Sequence, residues 1–276
     1  MSGPLLHRCA VCGTSTENRC SGCSKAGGPT IFFCSPDHQK LVWHNHKRVC
    51  RDKSAAFVAP PLSDVEYQHY RQVADIKFPH AKPPELRMTI AESVEKALAD
   101  RKLPKDFERF VAISRTAEDL ADSWKQMLLA RIRADTAFLM TDPTGGVLKA
   151  PFVGSSTPWE FVAAFADLVL LYHPELSPIA NQLVRFKHHT LILHTLLSLR
   201  LASSSREIPD DWILRSFENV VEALNDDIKY QHMSDIHRFS KMTDLLSEPV
   251  KRIVDFETDQ GFFPGMGILE LTCYPK

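Results

Sequence analysis

Between Cys9 and Cys50, eight cysteine and histidine side chains fall into four pairs: Cys9/Cys12, Cys20/Cys23, Cys34/His38 and His46/Cys50. Each pair has metal-ligand spacing. The two Cys-x2-Cys knuckles let neighbouring thiolates reach one ion, and the pairs four residues apart can each share one face of a helix. Eight ligands make two tetrahedral sites with none left over. Six of the seven cysteines of the chain lie in this stretch, and the seventh, Cys273, stands alone near the C-terminus. A disulfide framework is the competing reading, but Met1-Ser2-Gly3-Pro4 is no signal peptide, and histidines in register with cysteines suit zinc better than oxidation. A stretch this short needs a metal or disulfide staple to fold. The expected cofactor is two structural zinc ions, because a catalytic ion keeps a position open for water and here every position is filled.

Locally, Thr30-Ile31-Phe32-Phe33 reads as a short strand, and Ser35-Pro36 as an N-cap followed by proline at the first helical position. The helix so started should run towards Arg48. His44 rivals His46 as a ligand, but only His46 keeps the four-residue step to Cys50. Spacing alone leaves sequential and interleaved pairing of the ligands open.

The full register, Cys-x2-Cys, Cys-x2-Cys, Cys-x3-His and His-x3-Cys, with Ser35 and Gln39 after Cys34 and Trp43 ahead of His46-Lys47, resembles the MYND-type zinc finger. One departure stands out: most members of that family have cysteine where this chain has His38. The resemblance implies interleaved sites, with Cys9, Cys12, Cys34 and His38 on one ion and Cys20, Cys23, His46 and Cys50 on the other. It also implies a protein-interaction module, in which a groove between the helix and the second knuckle receives a short proline-containing segment. The residues matching that groove are Ser21, Gln39 and Trp43. Gln39 and Trp43 are four apart on one helical face, where an indole beside an amide can grip a polyproline II ligand.

Charge is unevenly spread beneath a formal total of -1. Residues 1–54 carry eight Lys/Arg against three acids, a surplus of five, which falls to about +3 once two zinc ions and six thiolates are counted. These basic residues are scattered and no aromatic platform alternates with them, so direct nucleic-acid binding is not expected. The most apolar stretches, Val162 to Tyr172 and Thr190 to Leu199, are about half a bilayer span long, which argues against a membrane protein. Zinc-thiolate chemistry points to an intracellular protein; nucleus and cytoplasm fit equally.

Beyond Cys50, Ala59-Pro60-Pro61 closes a linker over 51–62, and helical signals then continue over 63–276. Ser63-Asp64-Val65-Glu66 is a capping box. A helix is expected from Pro84-Glu85 with Leu86, Ile90, Val94 and Leu98 on one stripe, and others through Trp124 to Ala137, from the cap Thr157-Pro158-Trp159-Glu160, from Ser177-Pro178 through Leu201, over 210–228 and over 235–257. Gly267 to Tyr274 reads as a strand or docked extension. The fold class expected is mainly α: a small two-zinc finger of short hairpin plus helix over 9–50, then an all-α domain of undefined topology.

No catalytic residue is assigned. The asparagine-histidine-serine run and glycine-rich loops of a SET methyltransferase are missing, as are a phosphate loop and a nucleophile elbow. The histidines past the finger, among them His188, His189 and His194, miss the four-residue helical metal pair and read as surface or satisfied core groups. The reading is a zinc-binding adaptor, not an enzyme, whose finger recruits proline-containing protein segments in transcriptional regulation. The alternatives are an enzyme with an unfamiliar helical catalytic domain, or a nucleic-acid-binding regulator.

Overall fold

Four helix starts among the described residues are set by hydroxyl caps. The computed structural model describes residues 7–77, 88–100, 111, 114–115, 123–141, 157–172, 176, 182–201 and 208–231. Ser35 accepts from the amide of His38 at 3.2 Å and opens α2 (Pro36–His46) behind the short α1 (Ser21–Lys25). Ser63 and Glu66 exchange both bonds of a capping box at the head of α3 (Asp64–Val73). The fourth helix, α4 (Ile90–Asp100), starts later than its apolar stripe suggests. Thr89 and Glu92 form a second reciprocal pair, with Thr89 N donating to Glu92 Oε2 at 2.8 Å and Glu92 N to Thr89 Oγ1 at 3.1 Å. Satisfying two amides at Thr89 fixes the start of α4 there; Pro84-Glu85 lies outside the described residues. Then follow α5 (Ser123–Thr141), α6 (Pro158–Tyr172), capped by Thr157, α7 (Val184–Leu201) and α8 (Asp210–Gln231). The helix expected over 235–257, the Ser177-Pro178 cap and the extension after Gly267 lie outside the described residues.

The fold is mainly helical, with no strand among the described residues. In place of a hairpin, the finger has two isolated antiparallel bridges, Arg8 to Ser15 and Arg19 to Phe32. Ile31 to Phe33 is nonetheless extended between two partners. Cys20 N and Phe33 N bond across to Ile31 O and Asn18 O, while Ala10 N donates to Phe32 O on the other side. The knuckle turns fix this chain crossing, so pairing ends after the single Arg19–Phe32 bridge on one side and the Ala10 hydrogen bond on the other.

Contacts divide the chain into two units that do not follow its order. The first holds the finger region up to Val58 together with α7 and α8; the second holds α3 to α6. The stretch expected as a linker is thus split between them. In the first unit, Arg51–Lys53 form a 3-10 turn and Phe57 is buried. In the second, Ala59 N donates to Gln126 Oε1 at 2.9 Å, and Leu62 is part of the core.

Within the second unit α5 is the hub, meeting α3, α4 and α6. Tyr70 and Val73 of α3 and the predicted stripe Ile90, Val94 and Leu98 of α4 bury against Leu128, Leu129 and Ile132. At its side lies a buried ion pair. Arg133 Nε donates to Glu66 Oε1 at 2.6 Å, and the same guanidinium donates to Pro60 O at 2.8 Å. Among the described residues no helix is long and apolar enough to cross a membrane.

Candidate metal centre

The finger brings its ligands together by local means. At the first knuckle the chain turns through Gly13 (φ 72°), whose amide donates to Cys9 O at 3.0 Å. The second knuckle opens α1, which carries Cys23 back towards Cys20. The Ser35 cap starts α2 immediately after Cys34, so His38 stands one turn below that thiol. His46 ends the same helix, and the turn Val49 N to His46 O, 3.1 Å, returns Cys50 towards it.

Two four-residue clusters result: Cys9, Cys12, Cys34 and His38, and Cys20, Cys23, His46 and Cys50. In each, all four ligand atoms lie within 4.8 Å of one another. The pairing is interleaved, the arrangement spacing left open. His46 is buried inside the second cluster, whereas His44 is exposed and outside both.

Distances test whether zinc fits. Zinc–sulfur and zinc–nitrogen bonds of tetrahedral sites place two sulfurs about 3.8 Å apart and a sulfur and a nitrogen about 3.6 Å apart. In the second cluster Cys50 Sγ is 3.6 Å from both Cys20 Sγ and Cys23 Sγ, and His46 Nε2 is 3.4 Å and 3.6 Å from Cys20 and Cys23. In the first, Cys12 Sγ and Cys34 Sγ are 3.6 Å apart, and His38 Nδ1 is 3.5 Å from Cys9 and 3.1 Å from Cys34. The six cysteines of the two clusters are free thiols, far beyond disulfide bonding distance. These are two zinc sites, each of three cysteines and one histidine, with no position left for substrate, hence structural.

The electrostatics suit a cation at each centre. The Cys23 thiol is pushed up, first by its hydrogen bond to Cys20 and then by burial, while Cys20 is held down to about 3 chiefly by that same bond. Cys34 is pushed up to about 12, by burial ahead of its bond to Cys12. Burial works against a charged His46, but Cys20 and Cys50 outweigh it and raise the ring to about 9. One divalent ion at each centre makes three thiolates and a neutral imidazole the favoured state and expels the protons.

Side chains outside the ligand set shape both centres. A Cβ on Gly22 would lie 2.7 Å from Cys50 Sγ, so the second knuckle closes only around glycine. His46 Nδ1 is buried without a hydrogen-bond partner. Its ring is instead packed by Phe33, Trp43 and His188, each with its centroid 5.9 Å away. Gln39 Nε2 donates to Cys20 Sγ at 3.7 Å, and Trp43 is half-buried on the same helix; Ser21, at the head of α1, is exposed. His188 is a buried neighbour of a ligand, a position that helical spacing could not reveal. His189 departs from the expected satisfied core histidine, since neither ring nitrogen has a partner.

Residues 9–50 match the MYND finger family. This segment is a MYND finger. The finger is similar to that of programmed cell death protein 2 from Bos taurus, 47% identical over 45 residues that cover 16% of this chain and 12% of that protein. No solved structure matches the chain. A MYND finger is a zinc-binding protein-interaction module, and both zinc sites of this one are complete.

His38 supplies the first test. His38→Ala should lower bound zinc from two ions per chain towards one, while His38→Cys, restoring the usual family ligand, should keep two. Elemental analysis of the purified variants reads this directly, and an unchanged two ions in His38→Ala would remove His38 from the ligand set.

Proposed function

We propose that this protein is an adaptor, not an enzyme, whose MYND finger receives a short proline-containing segment of a partner protein between α2 and the second knuckle, in the manner of transcriptional corepressor assemblies. The observation that carries the reading is the division of labour around α2. His38, Asn45 and His46 contact α7 and α8, while Gln39 and Trp43 stay half-exposed beside that arc. Gln39 ties the helix to Cys20, the residue before exposed Ser21, and none of the three groove residues is in a zinc cluster. An extended proline segment has a preformed backbone and little entropy to lose on docking against an indole.

The full chain should bind a Pro-x-Leu-x-Pro peptide in a zinc-dependent manner. Trp43→Ala should weaken it by about 2 kcal/mol or more, roughly thirtyfold. Zinc content must be measured on the same sample, because the indole also packs on His46. A zinc-replete Trp43→Ala chain that binds the peptide as wild type does would reject the groove.

A further inference from the structure

We infer that the two zinc sites are braced separately by helices far along the chain: α8 orients the first site through Trp212 and Asn219, and α7 orients the second through His188. The inference assigns positioning residues to the MYND finger from outside residues 9–50. It stands on the zinc sites themselves and does not depend on what the groove binds.

Trp212, Arg215 and Asn219 of α8 meet the finger at the first site. The ring of Trp212 meets that of His38 edge to face at 4.5 Å. One turn on, the stem of Arg215 lies under the first knuckle, where a Cβ on Gly13 would come within 3.0 Å of three of its carbons. A further turn on, Asn219 Nδ2 donates to Cys9 O at 3.0 Å. Residues 212, 215 and 219 share one helical face, so a single rigid element fixes the His38 ring, the knuckle turn and the backbone of Cys9 together. Glu218 adds an ion pair to Arg8 at 3.7 Å, just before that knuckle.

His188 and Thr195 of α7 meet the finger at the second site. His188 is fully buried and its ring packs on His46, whose Nδ1 lacks any hydrogen bond to hold its orientation. Facing a carbonyl, His188 Nε2 must be the protonated nitrogen, and it donates to Ser54 O at 3.2 Å. Ser54 Oγ in turn donates to Arg51 O at 2.6 Å, beside the ligand Cys50. Seven residues further, on the same face, Thr195 Oγ1 accepts from Asn45 Nδ2 at 3.0 Å, next to His46. Phe57 closes the cluster, its ring 4.9 Å from that of His188. Ligand orientation in metal sites is ordinarily set by such outer partners, and losing one weakens metal binding about 10- to 100-fold.

The test uses the full chain with zinc replaced by cadmium-113, which should give two resonances. His38→Cys identifies the first site, because only that site then gains a fourth thiolate. Trp212→Ala and Asn219→Ala should shift the first resonance and speed metal loss from that site to a chelator about tenfold or more, leaving the second unchanged; His188→Ala should do the converse. Trp212→Phe, which keeps an aromatic edge on His38, should recover most of the loss. Variants that disturb both resonances together, or neither, would overturn separate bracing, since general loosening of the unit has no reason to choose a site.

Discussion

Chelating both zinc ions should unfold the finger together with α7 and α8 while α3 to α6 remain folded. Structural zinc contributes about 10–16 kcal/mol to small metal-bound folds, against a typical domain stability of about 5–15 kcal/mol. The finger's apolar interior, Val11, Ile31, Phe33 and Val42, is small, and only the second site is buried throughout. The two long helices share its unit, and residues buried on them, His188 and Asn219 among them, bond to finger carbonyls. Removing the metal leaves those groups without partners. Hydrogen exchange followed by mass spectrometry should therefore show loss of protection across Val184–Leu201 and Asp210–Gln231 on chelation, with Ser123–Thr141 unchanged. Retained protection in α7 and α8 would mean that their mutual apolar packing suffices without the finger. Acid should act in the same direction, because thiolates and imidazoles must be deprotonated to hold zinc.

Arg133→Ala should produce the largest single-residue effect in the other unit. Arg133 and Glu66 are both 2% exposed, and the substitution strands a buried carboxylate and removes a donor from Pro60 O. Breaking one side of such a pair costs about 3–5 kcal/mol, a large part of a domain's stability. Replacing both partners by apolar residues, Arg133→Met with Glu66→Leu, should recover most of that, short of about 1 kcal/mol for the lost capping box at Ser63. Urea unfolding monitored on α5 reads the loss, and zinc content should stay at two per chain throughout. A change in zinc content would couple the two units energetically; a loss under about 1 kcal/mol would show that water reaches the stranded carboxylate.

The ligand set was legible because each pair is local. Two cysteines three apart on a knuckle, or a cysteine and a histidine four apart on a capped helix, are brought together by turn geometry alone, and Ser35-Pro36 announces where that helix starts. The same holds for the Ser63 and Thr157 caps and for the stripe Ile90, Val94 and Leu98. The box Thr89-Ile90-Ala91-Glu92 was also written in the sequence, but the apolar stripe extending back to Leu86 pointed to an earlier start. A strand over Thr30 to Phe33 was a fair reading of its apolar run; knuckle turns on both sides left it one bridge, to Arg19, and one hydrogen bond from Ala10.

What the amino-acid order determined by itself is the chemistry of the finger: eight ligands, enough for two closed sites, a family resemblance over residues 9–50 and a mainly helical remainder. Only the tertiary structure decided which ligands share an ion, that the finger region packs with α7 and α8 instead of preceding a separate helical domain, and that Trp212, Asn219 and His188 stand against the ligands. Interleaving depends on how the two knuckles cross the extended stretch before α2. The hydrogen bonds of His188 and Asn219 to the finger span 134 and 210 positions of the chain. At that separation no helical or strand period relates the partners, and their meeting is set by the packing of whole helices, a cooperative outcome that no local pattern encodes.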